Sequence, residues 1–206
     1  MTTEAQPKPD ARAKLLDAAV TVIRQRGFSA TSVDNLCRTA GVTKGGFFHH
    51  FASKEALGVA AAHHWSEMTG AMFATAAYHE LPDPLERVLA YIDLRIELLA
   101  GAVSEVTCLV GTMVQEAYGS SSDIRSACQA SIYGHAATLE ADIAAAMTER
   151  CIGSDWTAQS LALHTQAVLQ GAFILAKAQG DASVAVETTR HLRRYIRLLF
   201  QTPKET

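Results

Sequence analysis

Lys44, Gly45, Gly46 and His49 stand together in a run whose chemistry suits a polyanionic partner better than a reacting substrate. A lysine ammonium can donate to guanine O6 and N7 in the major groove of DNA, which makes Lys44 the candidate base reader. Thr43, just before it, can cap a helix while touching a phosphate or a thymine methyl. Gly45 and Gly46 each cost a helix about 1 kcal/mol relative to alanine. Two in one short helix point to close approach of backbone to DNA, with tolerated small surface residues as the plainer reading. His49 either touches DNA or faces solvent.

The elements around this run must hold it in place, and they read TSVDNLCRTAGVTKGGFFHHFASKEAL from Thr31 to Leu57. Thr31 with Asp34 makes a capping pair, so a helix starts at Ser32 or Val33. Val33, Leu36 and Cys37 follow the i, i+3, i+4 rule of one apolar stripe turned inward. Gly41 ends that helix, because glycine enters a left-handed cap without a Cβ penalty. Thr43 caps a second short helix, and Ser53 caps a third. Two short helices joined through a glycine turn form a helix-turn-helix, whose second helix fits the major groove.

These residues also carry a family likeness. Ala40-Gly41-Val42-Thr43, Phe47-Phe48, His50-Phe51 and Ser53-Lys54-Glu55-Ala56-Leu57 resemble the DNA-binding signature of the tetracycline-repressor (TetR) family of one-component transcriptional regulators. The likeness runs from Ala11 to Leu57, about a quarter of the chain. It implies that Phe47 and Phe51 fill a small core and that the Thr43–His50 helix enters the major groove. It also implies phosphate contacts from His50, Lys54, Thr31 and Ser32. Phe48 departs from the pattern, since the family usually has tyrosine there; phenylalanine can pack on a sugar but makes no hydroxyl bond to phosphate. The resemblance further implies an all-α fold. An N-terminal three-helix DNA-binding bundle over residues 1–57, with 1–9 as a flexible arm, precedes a larger helical ligand-binding and dimerisation domain over 58–206.

Composition agrees with that division. The 206 residues are 49% hydrophobic, rich in alanine and poor in proline, which favours helices. No apolar run reaches the roughly 18 residues of a membrane span, and the N-terminus has no signal-peptide pattern. Cys37, Cys108, Cys128 and Cys151 show no CxxC spacing and read as free thiols of a cytoplasmic protein. Residues 1–60 hold eight basic and five acidic groups, net +3, whereas the rest carries ten basic and sixteen acidic, net −6. A basic nucleic-acid module on an acidic body fits this asymmetry.

Along the chain, Asp10 caps a helix to Arg26 with Leu15, Ala18, Ala19, Val22 and Ile23 inward. Arg12 and Lys14 near its start read equally as phosphate contacts and as solvated charges. A long helix runs from Ser53 to about His79, and Asp83-Pro84 caps the next, to about Ala100. One or two short helices fill 101–119, and long ones follow over 122–150, 156–178 and 182–201, nine or so in all. The family resemblance implies that the last two form the dimer surface, through Leu161, Val168, Leu169, Phe173 and Ile174 on one and Leu192, Ile196 and Leu199 on the other.

The middle helices are apolar with polar interruptions, as in a small-molecule pocket. Candidate wall residues are Trp65, Met68, Phe73, Tyr91, Cys108, Met113, Tyr118, Tyr133, His135 and His164. His63 and His64 point about 100° apart on a helix and cannot chelate together, so no metal is expected, and no cofactor. Glu105-Val-Thr-Cys-Leu-Val-Gly resembles a segment of electrophile-sensing TetR regulators, which makes Cys108 a candidate reactive thiol if folding brings a cation such as Arg95 or His135 to it. The favoured function is a repressor that binds a near-palindromic operator as a homodimer and is released by a small-molecule inducer. The alternative keeps the DNA-binding head but gives the body a protein partner or an architectural role. No nucleophile–base or metal-ligand spacing supports an enzyme.

Overall fold

A computed structural model describes residues 10–153 and 155–201. Among them are ten α-helices and no strand, so the chain is all-α as expected. The expected arm, residues 1–9, lies outside the described residues.

Local chemistry explains the first four helices. Asp10 accepts from Ala13 N at 2.7 Å and starts α1, Ala11–Arg26. Gly27, at φ 87°, ends it. Ser32, not Thr31, caps α2 (Val33–Ala40), accepting from Asn35 N at 3.1 Å. This corrects the Thr31–Asp34 capping pair: Thr31 is buried, and its hydroxyl donates to Gly27 O at 2.6 Å, bracing the turn after α1 instead. Gly41 takes the left-handed conformation at φ 64°. Thr43 then accepts from Gly46 N to open α3, Lys44–His50. Ser53 accepts from Ala56 N to open α4, Lys54–Ala74.

Helix α4 stops five residues before the expected His79. The Thr75 hydroxyl turns back onto the Ala71 and Met72 carbonyls, and a His79 ring nitrogen pairs with Phe73 O at 3.0 Å. Side chains thus occupy acceptors that another helical turn would use, and the chain tightens into a 3-10 turn at Ala77–Glu80. Asp83 caps α5 (Pro84–Glu97) as expected. Two short helices follow, α6 (Val103–Val106) and α7 (Leu109–Ala117). The long α8 (Ser122–Glu149), α9 (Ala158–Gln179) and α10 (Ser183–Leu199) complete the body.

Two hydrophobic clusters hold the helices. One joins Leu15, Ile23, Leu36, Phe47, Phe51 and Leu57 of the head to Leu109, Met113, Ile124 and Cys128 of α7 and α8. Gly58 lets α4 pass close to Phe28, since a Cβ there would sit 2.8 Å from that ring. The second cluster, from Phe73, Tyr91, Ile143, Leu169, Leu192 and their neighbours, is the core of the body. The head therefore leans on α7 and α8 through packed side chains rather than through a linker alone.

Candidate nucleic-acid interface and ligand cavity

The expected DNA-contacting residues fall into an outward set and a structural set. Lys44, Gly45, Phe48 and His49 are exposed on α3, with Thr43 and Ser32 exposed as the caps of their helices and His50 half-buried at the end of α3. Lys44 Nζ lies 3.2 Å from Asp34 of α2, both well exposed. Such a surface pair contributes at most about 1 kcal/mol and yields readily to a phosphate or base. Phe48 stands edge-on against buried Phe47, ring centroids 5.1 Å apart, with half its surface free.

Other members have roles within the fold. Thr31 is buried, as described, and presents no hydroxyl outward. Lys54 donates to Phe28 O at 3.1 Å and lies over the Phe28 ring at 4.5 Å, so it anchors the turn after α1 while half-buried. The two glycines also separate. A Cβ on Gly46 would meet Val42 Cγ1 at 2.9 Å, so that glycine serves the helix-turn-helix packing itself. A Cβ on Gly45 would find nothing nearer than 4.0 Å, and its backbone faces open space.

The body contains a cavity of about 530 Å³ between α4, α5, α6, α8 and α9, within the range of small-molecule sites. Trp65, Met68, Phe73, Cys108 and His135 line it, as expected. Five other expected wall residues do not. Tyr91 is buried one layer behind, its hydroxyl 2.9 Å from His135 Nε2 and within 3.4 Å of Gln166 Nε2. Met113 is consumed by the head cluster. Tyr118 and Tyr133 are exposed, and exposed His164 packs against Tyr195 on α10.

The sequence reading missed the polar half of the wall: Arg24, Arg95, Thr107, Gln166 and Gln170. A signal existed for three of them. Arg95 follows Ile92 by three and precedes Leu99 by four, and Gln166 and Gln170 fall in register with buried Ala162 and Phe173. Polar residues on buried stripes either pair internally or face a cavity.

Burial, helped by Arg95, drives the His135 imidazole down to about 4, so it is neutral near physiological pH. Cys108 caps α7, its Sγ 3.4 Å from Gly111 N. Lys177 and Arg24 lie in electrostatic reach of this thiol; burial pulls both cations below their usual range while the Cys108 charge opposes that. Cys128, by contrast, is buried and its thiol is pushed up to about 12, chiefly by desolvation. Arg24 belongs to α1 yet reaches the cavity: its Nε donates to Thr107 O at 2.8 Å, its Nη2 to Glu105 O, and its guanidinium lies over Trp65 at 5.0 Å. Glu116 of α7 accepts from Ser29 N at 2.6 Å, a second tie between head and body.

On the last two helices, Leu161, Leu169, Phe173, Leu192 and Ile196 are buried within the single chain, so they are not free for a partner. Ile174 is exposed, as are Leu175, Tyr195 and Leu198 on the same helix pair.

Helix-turn-helix head, helical body and cavity together define a DNA-binding transcriptional regulator. Comparison with known proteins agrees: the family model described as bacterial regulatory proteins of the tetR family matches residues 15–61. The LmrA/YxaF-like transcriptional regulator C-terminal domain matches residues 84–191. The chain belongs to the TetR family of bacterial regulatory proteins. It is 28% identical over 204 residues to the HTH-type transcriptional repressor NemR of Escherichia coli K12, covering 94% of this chain and 96% of that one. The crystal structure of reduced E. coli NemR superposes with a TM-score of 0.77 at 25% identity, covering 95% and 100% of the two chains. The fold is shared as well by a cysteine-substituted CifR solved on a 26-base-pair operator (TM-score 0.72, 18% identity, covering 92% and 98%). These relatives are regulators rather than enzymes. No described helix is long and apolar enough to cross a membrane.

Proposed function

We propose that this chain is a cytoplasmic repressor, binding a near-palindromic operator as a homodimer and releasing it when a small molecule, an electrophile at Cys108 among them, enters the body cavity. Residues 1–57 act as the DNA-reading head and 58–206 as the sensing and dimerising body. Thr43, Lys44, Gly45, Phe48, His49 and His50 face the groove, with Ser32 and Lys54 at flanking phosphates. The exposed apolar residues Ile174, Leu175, Tyr195 and Leu198 form the dimer surface.

The observation that carries this reading is Arg24. One side chain of α1 both lines the cavity and grips the Glu105 and Thr107 carbonyls immediately before Cys108. Alkylation runs through the thiolate, and Cys108 caps α7 with Arg24 and Lys177 in electrostatic reach. The thiolate adds to the β-carbon of an unsaturated carbonyl: a C–S bond forms, the C=C π bond breaks, and the α-carbon takes a proton from solvent. The adduct then competes with Arg24 for space, and α1 moves with the α2–α3 unit packed on it. A ligand acts only by preferring the DNA-incompetent arrangement, and about 1.4 kcal/mol of preference weakens operator binding tenfold.

Fluorescence anisotropy on DNA from upstream of the chain's own gene tests this. N-ethylmaleimide is expected to weaken wild-type binding about tenfold or more and to leave Cys108→Ser unaffected. Arg24→Met should bind DNA but respond less to alkylation. Release of Cys108→Ser to the same extent as wild type removes the covalent route, and a full response from Arg24→Met removes the coupling role of α1.

A further inference from the structure

Arg95 of α5 lines the cavity with its guanidinium carbon over two rings, 5.3 Å from the Phe73 centroid and 5.8 Å from that of Phe173. Among the described residues, no carboxylate lies within ion-pair distance of it and no acceptor takes its N–H groups. Stacking covers the faces of a guanidinium but leaves its in-plane donors unused, and that planar fork matches a carboxylate bidentately. His135, which packs on Phe73 as Arg95 does, is neutral near physiological pH. Of the two lining guanidiniums, Arg24 spends donors on the Glu105 and Thr107 carbonyls, which leaves Arg95 as the one with its donors free.

Another part of the wall has opposite character. Trp65, Met68, Met72 and Leu98 line the cavity, and the last three are among the few large apolar side chains the chain leaves exposed. Ring faces and thioethers accommodate flat, polarisable bodies. A dianion such as phosphate pays heavily to enter so apolar a space, whereas one delocalised negative charge is matched by Arg95.

We propose that the cavity takes an aromatic or fused-ring monocarboxylate, with its carboxylate on Arg95 and its ring against Trp65, Met68 and Met72. This deepens the regulator reading above by naming a class of noncovalent ligand, and it rests on that reading only for the consequence at DNA.

The test is isothermal titration of the full-length protein with 2-naphthoate and with 2-naphthamide, which share a ring and differ in charge. Near neutral pH, 2-naphthoate is expected to bind about tenfold tighter, the scale of a charge-assisted hydrogen-bond pair. Arg95→Gln should abolish that preference while leaving 2-naphthamide affinity nearly unchanged. Equal affinities for the two probes, unchanged 2-naphthoate affinity in Arg95→Gln, or no binding of 2-naphthoate at millimolar concentration overturns the proposal. The wild-type comparison decides even if Arg95→Gln does not fold. Operator anisotropy on the same preparation separates the two readings. Release by N-ethylmaleimide without 2-naphthoate binding sinks this inference alone. Arg95-dependent 2-naphthoate binding by a protein that binds no operator sinks the regulator reading alone.

Discussion

Gly45 and Gly46 show how two identical residues divide their roles. Gly46 is required by its neighbour, because a methyl there collides with Val42, whereas Gly45 faces open space. In the fold alone, Gly45→Ala therefore only improves helix propensity, by up to about 1 kcal/mol. If α3 lies in the groove, the same methyl stands between backbone and DNA. Gly45→Ala is expected to raise the melting temperature while weakening operator binding. Thermal unfolding and anisotropy together check this, and a variant that gains both stability and affinity contradicts the placement of α3. Nothing in the sequence distinguishes the pair, because the distinction arises from Val42 curling back across the turn. Thr31 departs from its expected role for a related reason: its type suits a cap, but the turn at Gly27 recruits it inward.

At the scale of helices, caps and breakers were the most legible features. Asp10, Gly41, Thr43, Ser53 and Asp83 each act where their chemistry places them. Such residues work through bonds within three or four positions, so sequence alone suffices. Helix α4 ended early because Thr75 and His79 intercept its last carbonyls, a competition that propensity does not reveal. The α2 cap gives a direct check on the corrected assignment. Ser32→Ala is expected to cost about 1 kcal/mol of stability, while Asp34→Ala, which removes only an exposed pair with Lys44, should cost less. Denaturant unfolding of the two variants decides; a larger loss from Asp34→Ala would restore the original capping pair.

For the molecule as a whole, the cavity was only half visible in the sequence. Its apolar wall was anticipated from residue type, but Arg24 arrives from α1 and Arg95, Gln166 and Gln170 from three-dimensional packing of α5 and α9. The neutral His135 in its wall links the cavity to pH. Its folded value of about 4 lies below the unfolded value of 6.5, because burial, reinforced by Arg95, opposes the charged form. Between those values the unfolded chain binds a proton that the folded chain refuses, so stability present above about pH 6.5 is lost as pH falls and levels off below about 4. Wild type should therefore lose stability on acidification more steeply than His135→Gln, by up to about 1.4 kcal/mol per pH unit. Equal slopes for the two proteins would mean that folding leaves the His135 proton affinity unchanged.

The central claim is that one chain joins a groove-reading head to a chemically addressable cavity. Footprinting on DNA upstream of the chain's own gene, with and without N-ethylmaleimide, tests it most directly. The expected result is protection of a near-palindromic site, its half-sites about one helical turn or more apart, that disappears on alkylation of wild type and persists for Cys108→Ser. Protection that alkylation leaves intact in wild type, or no protected site at all, would contradict it.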